Sequence, residues 1–254
     1  MAKIAKIFIE THGCTHNLSD SESMAGLLAE AGHQIVQKEI QADLIIINTC
    51  TVKTPTEHSM LSRIAQLKKG RKKIVVAGCI PQTDPEKLKG VSIIGTSQIS
   101  RIAEVVNATL EGKITSLTSP SSASNLLSPK IRKNPLIEII PISTGCLGAC
   151  SFCKTKAARG HLKSHPVKEI VQQVRNATSS GAKEIWLTSQ DTACYGFDIK
   201  TNVADLLKEI CKIDKDFKIR LAATALKALT SSSMGLAFSG KVDTRRNEMF
   251  SFGG

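Results

Sequence analysis

Four short apolar segments, three of them followed by a helical pattern, constrain the fold of this chain more than any other feature. IAKIFI (4–9), DLIIIN (43–48), KIVVA (73–77) and VSIIG (91–95) read as strands. After the first, MAGLLAEAG has helical spacing and closes at Gly32. Met60, Leu61, Ile64 and Leu67 share one face of 57–69, and Ile99, Ile102, Val105 and Val106 share a face after the fourth strand. Ser19-Asp-Ser-Glu22 has the pattern of a capping box, which places the start of the first helix there. Strands alternating with helices predict an α/β fold with a doubly wound parallel sheet.

In such a sheet, the residues just past the carboxyl ends of the strands line one edge, where ligands bind. Three of the strands are followed by a cysteine, in Gly13-Cys14, Thr49-Cys50 and Gly78-Cys79, with separations of 36 and 29 residues. We therefore expect Cys14, Cys50 and Cys79 to meet in a shared metal or cluster site. The alternative is three independent buried cysteines.

Residues 112–135 are rich in Ser and Pro (ITSLTSPSSASNLLSPKIRKNP) and read as a linker. A strand at 136–142 (LIEIIPI) follows. Helical faces come next at 166–178 (Val167, Ile170, Val171, Val174) and 203–211 (Val203, Leu206, Leu207, Ile210), with the strand EIWLTSQD between them.

Just past the strand at 136–142, STGCLGACSFCK places Cys146, Cys150 and Cys153 at C-x3-C-x2-C spacing. Structural zinc sites close with four ligands, commonly as two separated pairs. His161 and His165 are candidate fourth ligands, but their polar surroundings predict that they face solvent. A 4Fe–4S cluster on three cysteines leaves one iron without a protein ligand, open to a substrate or cofactor. Gly145 and Gly148 suit a tight wrap of backbone around such a cluster. Cys211, on a helix, reads as a small core residue; Cys194, in a loop, has no assigned role.

The net charge of +12 is uneven. Residues 1–108 carry 13 Lys+Arg against 10 Asp+Glu; the rest carries 21 against 12, with nine basic and two acidic residues from Lys130 to Arg175. That skew suits a polyanion such as nucleic acid, whereas Lys68-Lys-Gly-Arg-Lys-Lys73 reads as a solvated turn. No apolar run approaches the roughly 18 residues of a membrane span, and the N-terminus lacks a secretory pattern. A cytoplasmic protein without membrane association is expected, in which eight cysteines are not a disulfide framework.

C-x3-C-x2-C with Phe152 before the third cysteine resembles the signature of radical S-adenosylmethionine enzymes. With the three upstream cysteines, it resembles the tRNA methylthiotransferase family. THGCTHNLSDSE, NTCTVKTPTE, VAGCIPQ, KIRKNPLIEIIPISTGCLGACSFCKTKAARG and KEIWLTSQDT are similar to its archaeal and eukaryotic branch, which acts on N6-threonylcarbamoyladenosine beside the anticodon.

The resemblance implies two 4Fe–4S clusters. Cys146, Cys150 and Cys153 would hold one, whose open iron binds S-adenosylmethionine and yields a 5′-deoxyadenosyl radical. Cys14, Cys50 and Cys79 would hold the other, which carries the sulfur to be transferred. Phe152, Thr188, Ser189, Gln190 and Asp191 would lie near the cofactor; for Thr188 and Ser189 a polar strand end capping a helix is an equal reading. Lys156 and Arg159 read either as phosphate or cofactor contacts, hence tRNA contacts, or as a solvated loop. The implied partners are tRNA, a low-potential electron donor and a sulfur donor.

The expected layout is an N-terminal domain at 1–111, the linker, a partial radical S-adenosylmethionine (β/α) barrel at 136–221, and a tail at 222–254 without family likeness. A truncated or frame-disrupted chain would look like this, and its cofactor pocket would be incomplete. The competing expectations are a non-catalytic iron–sulfur module and a zinc-dependent RNA-binding protein.

Overall fold

The computed structural model describes residues 4–51, 54–121, 126–148, 153–221 and 242–243. The chain forms two compact units. The first gathers residues up to Lys133 together with Thr144–Lys163; the second combines Asn134–Ser143 with residues from Ser164 onward.

The first unit contains β1 (Lys6–Thr11), α1 (Thr15–Glu30), β2 (Gln34–Ile35), β3 (Leu44–Thr49), α2 (Thr54–Lys68), β4 (Lys73–Gly78), α3 (Cys79–Thr83), β5 (Ser92–Gly95), α4 (Ile102–Leu110) and β6 (Ser116–Leu117). All pairings are parallel, in the order β2-β1-β3-β4-β5-β6. Successive side chains of a strand point to opposite faces. Accordingly, Ile45 and Ile47 join Met60, Ile64 and Val76 in one core, while Leu44 and Ile46 join Met24, Leu28, Val75 and Val105 in the other. Both faces are covered, which is why β3 is apolar along most of its length rather than alternating.

The first helix begins at Thr15, with Cys14 at its N-cap, and not at Ser19. The groups of the expected capping box are used by the later chain instead. The Glu22 carboxylate accepts from the Lys133 amide (2.9 Å), the Glu22 carbonyl accepts from the Ile131 amide (3.0 Å), and Ser19 Oγ accepts from Lys130 Nζ (3.1 Å). Tertiary hydrogen bonds here override a local signal. The Ser/Pro-rich stretch read as a linker lies along the first unit: β6 extends the sheet, Gln82 and Gln98 donate to the Thr118 and Ser119 carbonyls (both 2.8 Å), and Leu126 is buried.

The chain continues through β7 (Ile137–Pro141), β8 (Ser143–Thr144), α5 (Lys154–Arg159), β9 (Lys163–Ser164), α6 (Val167–Ser179), β10 (Glu184–Thr188), α7 (Val203–Cys211), β11 (Lys218–Leu221) and β12 (Val242–Asp243). In the second unit, parallel strands run in the order β12-β11-β10-β7. Ile170, Val174 and Ala177 of α6 and Leu206, Leu207 and Ile210 of α7 are buried, as are Ile140, Ile185, Leu187 and Ile219 of the strands. His165 is buried, contrary to expectation. Its amide donates to the Ile142 carbonyl (2.9 Å) and its own carbonyl accepts from Tyr195 Oη (2.9 Å), so the chain after β9 is held inward. His161 is exposed, and Cys211 is half-buried. Among the described residues, no helix is long and apolar enough to cross a membrane.

Candidate metal centre

β1, β3 and β4 are neighbours in the first sheet, so their carboxyl ends lie side by side. Cys14 follows β1, Cys50 follows β3, and Cys79 opens α3 directly after β4. Their convergence needs a close approach at Gly13. It has φ +100, and a Cβ there would lie 2.5 Å from Cys50 Cβ and 2.7 Å from Cys50 Sγ, so only glycine fits.

Asn17, on the first turn of α1 and fully buried, joins the three strand ends. Its amide nitrogen donates to the His12 carbonyl (2.9 Å) and the Thr49 carbonyl (2.8 Å), which orients its oxygen toward the thiols. Cys14 Sγ and Cys79 Sγ each lie 3.9 Å from that oxygen. Asn48 donates to the Asn17 carbonyl (2.8 Å) and to Ser21 Oγ (2.9 Å). Thr49 Oγ1 donates to the Ala77 carbonyl (2.7 Å) and accepts from the Ile80 amide (3.1 Å). These bonds tie α1, β3, β4 and α3 together around the thiols.

Arg159, at the end of α5, reaches the same amide oxygen. Its Nη2 donates to Asn17 Oδ1 (2.8 Å) and to Asp20 Oδ2 (2.7 Å), and its side chain is only 4% exposed. Burial opposes its charge, but Asp20 and the thiols of Cys79 and Cys14 outweigh that and raise its pKa further. Burial likewise pushes the Asp20 carboxyl up, against the pull of the guanidinium. Burial pushes the Cys79 thiol up to about 11, with Arg159 as the counterweight and Cys50 and Cys14 adding to the rise. The buried Cys79 thiol, with Cys50 and Cys14 close by, resists ionisation, which a bound metal group would reverse.

Cys146 and Cys153 of the second group belong to the first unit. Gly145 has φ +71, and a Cβ there would lie 2.0 Å from the His161 carbonyl oxygen, so the loop closes on itself at this point. The Cys146 amide donates to the Gly160 carbonyl (3.3 Å), and Cys146 Sγ accepts from the Gly148 amide (3.2 Å). A Cβ on Gly148 would come within 3.3 Å of that sulfur. Cys146 and Cys153 are half-buried, with Cys153 at the N-cap of α5. Cys150 and Phe152 lie outside the described residues.

α5 is anchored at both ends. Lys154 Nζ pairs with Glu57 Oε2 (2.8 Å), Lys87 Nζ takes Glu57 Oε1 (2.8 Å), and Thr96 Oγ1 donates to the Ala158 carbonyl (2.6 Å). Burial alone would raise the Glu57 carboxyl, but hydrogen bonds from Lys154 and Lys87 bring it below its ordinary value. Lys156 Nζ donates to the Gly148 carbonyl and so braces the loop. Arg159, read from the sequence as a substrate contact or a solvated side chain, is instead buried beside the strand-end cysteines.

In the second unit, Thr188 ends β10 and its carbonyl accepts from the Ile142 amide (2.9 Å). Thr188 and Ser189 are buried, with Ser189 Oγ 3.1 Å from Thr192 Oγ1. Asp191 Oδ1 accepts from the Ala193 amide (3.0 Å), capping a 3-10 turn, and Oδ2 accepts from Cys194 Sγ (3.1 Å). Gln190 is half-buried. Asn17, Asp20 and Glu57 are site residues the sequence reading missed. The one available signal was Asn17 three residues after Cys14, the helical spacing at which side chains meet.

The donor set is thiol only, which suits zinc or iron–sulfur clusters rather than hard cations. Among the described residues, no three His, Cys, Asp or Glu side chains are spaced to share one metal ion. Cys14 and Cys79 converge on one amide oxygen.

Residues 6–94 match the model described as Uncharacterized protein family UPF0004, and residues 140–229, a stretch that ends past β11, match the Radical SAM superfamily. In fold, the chain is similar to a radical S-adenosylmethionine methyltransferase, TsrM, from Kitasatospora setae. The TM-score is 0.57 at 12% identity, covering 86% of this chain and 54% of that one. The superfamily match and the C-x3-C-x2-C sequence give residues 140–229 the character of the radical S-adenosylmethionine class, which works with a 4Fe–4S cluster and S-adenosylmethionine.

Two kinds of relative narrow the class. The human threonylcarbamoyladenosine tRNA methylthiotransferase is 48% identical over 219 residues, covering 83% of this chain and 38% of the relative. Proteins described as probable threonylcarbamoyladenosine tRNA methylthiotransferases from Methanothermobacter thermautotrophicus and Pyrococcus abyssi are 43% and 41% identical. Over most of its length this chain is similar to threonylcarbamoyladenosine tRNA methylthiotransferases. It spans about half the length of those archaeal relatives and 38% of the human one.

Proposed function

We propose that this chain carries the two cluster-binding parts of a tRNA methylthiotransferase that converts N6-threonylcarbamoyladenosine to its 2-methylthio derivative. Cys146, Cys150 and Cys153 hold a 4Fe–4S cluster with one iron left open for S-adenosylmethionine, and Cys14, Cys50 and Cys79 hold a second. Together with S-adenosylmethionine, the clusters supply the one-electron chemistry needed to replace an unactivated adenine C–H, which side-chain acids and bases cannot attack. The observation that carries this reading is the meeting of three strand-end cysteines in the same compact unit as the C-x3-C-x2-C loop.

The protein's own residues hold and orient. Gly13 leaves room for Cys50, Asn17 fixes the strand ends, and Lys154 and Lys156 brace the cysteine loop. Thr188, Ser189, Gln190 and Asp191, at the carboxyl end of β10, sit where a parallel sheet presents ligand contacts. The partners are tRNA, suited to the basic balance of residues 109–254, a low-potential electron donor and a sulfur donor. We place the protein in the cytoplasm, where the seven described cysteines, all free thiols, stay reduced.

Anaerobic reconstitution tests the reading: about eight irons per chain with matching sulfide are expected. Zinc bound without sulfide would sink it in favour of a zinc module. Formation of 5′-deoxyadenosine from S-adenosylmethionine under a strong reductant separates a catalytic chain from a non-catalytic iron–sulfur module.

A further inference from the structure

A buried arginine from one cysteine motif stands beside the cysteines of the other. Asn17 Oδ1 is 2.8 Å from Arg159 Nη2 and 3.9 Å from the sulfurs of both Cys14 and Cys79. Both sulfurs are therefore at most 6.7 Å from the guanidinium nitrogen. The guanidinium is nearly inaccessible to solvent, so its field is weakly screened. It is also held from several sides: Asp20 and Asn17 bind its nitrogen, Thr96 binds the carbonyl of the preceding residue, and Lys154 at the other end of α5 is paired to Glu57.

Nothing in the catalytic role of the C-x3-C-x2-C loop requires an arginine buried at this place. Thiolates at the strand ends, where Cys50 and Cys79 are buried, do call for a positive charge, because buried anions need a partner. An arginine cannot lose its proton there, so the charge is permanent.

We propose that Arg159 is a positioning residue of the Cys14–Cys50–Cys79 site, a fixed cation that balances its thiolates and raises the reduction potential of the cluster held there. The first site is thus completed by a residue six positions after Cys153, so the two cysteine groups are built as one electrostatic assembly. This rests on the reading that the strand-end cysteines bind a 4Fe–4S cluster. A nearby cation favours the reduced, more negative state, so its removal makes the potential more negative.

The test uses the full chain with Cys146, Cys150 and Cys153 changed to Ala, so that only the strand-end site loads. Arg159→Lys and Arg159→Gln are made in that background. After anaerobic reconstitution, iron is counted and the midpoint potential measured by redox titration. The parent is expected to hold about four irons. Arg159→Gln should shift the oxidised-to-reduced ratio at fixed potential at least tenfold, about 59 mV for one electron, while Arg159→Lys stays within about threefold. Should Arg159→Gln hold no iron while Arg159→Lys loads normally, the requirement for charge is supported as well. Equal potentials in all three forms, or an equal shift or loss in both variants, would show that Arg159 acts through shape alone and overturn the inference. A parent without iron would instead remove the cluster reading itself, and the inference with it.

Discussion

The two groups of three cysteines are spaced in opposite ways along the chain. Cys146, Cys150 and Cys153 fall within eight residues, so a single loop gathers them at little cost in chain entropy. Cys14, Cys50 and Cys79 are separated by 36 and 29 residues and meet only because β1, β3 and β4 are adjacent parallel strands. The loop site depends on its own turns. The strand-end site depends on the register of a whole sheet and on one amide, Asn17, that links its ends.

The sharpest way to break this comparison is to fill the close approach in one site only. Gly13→Val forces a branched side chain into the space of Cys50; iron is expected to fall from about eight to about four per chain, with the loop cluster intact. Gly145→Val, against the His161 carbonyl, should remove the other four. Loss of all iron from either variant would mean that the sites are not separable.

Asn17→Ala probes the link without filling space. Outer-shell partners of metal ligands are typically worth 10–100-fold in affinity, so a chelator should strip the strand-end site 10–100-fold more readily, with the loop site changed less than twofold. Metal-free protein tests the burial gradient within the strand-end group. Cys14 is exposed, whereas the Cys79 thiol is buried and pushed up to about 11. The thiolate is the reactive form, so iodoacetamide at pH 8 should modify Cys14 at least ~10-fold faster than Cys79, and the Cys79 rate should keep rising toward pH 11.

The smallest effect concerns the anchor of α5. Glu57 is held below its ordinary value of 4.5, so its contribution to stability is present above that pH and lost as pH falls through the lower, folded-state value. Glu57→Gln should cost at most about 1 kcal/mol at pH 7. The gap from the wild type should close on acidification below pH 4.5, measured by urea unfolding. A gap independent of pH would show that Glu57 acts by packing.

Much of the strand-end site was legible before folding, because strand–helix alternation alone places residues after the strands along one edge. The positions of the longer strands and helices were legible for the same reason, within a few residues, whereas short elements such as β6, inside the stretch read as a linker, were not. The start of α1 was not. Ser19 and Glu22 look like a cap, but their groups are taken by Lys130, Ile131 and Lys133, more than a hundred residues downstream. Arg159 was legible only as a basic residue in a basic stretch, since its burial depends on where α5 docks.

By itself, the sequence determined which atoms could bind metal, their spacing in the loop, and the α/β order that brings Cys14, Cys50 and Cys79 to one edge. Those are consequences of residue chemistry and of the periods of strand and helix. Only the tertiary structure decided what surrounds the thiols: the glycine that leaves room for Cys50, the amide shared by two sulfurs, and the buried guanidinium that faces them. Contacts between residues more than a hundred positions apart follow no local period, and the charge of a side chain does not reveal whether water or a thiol will stand beside it.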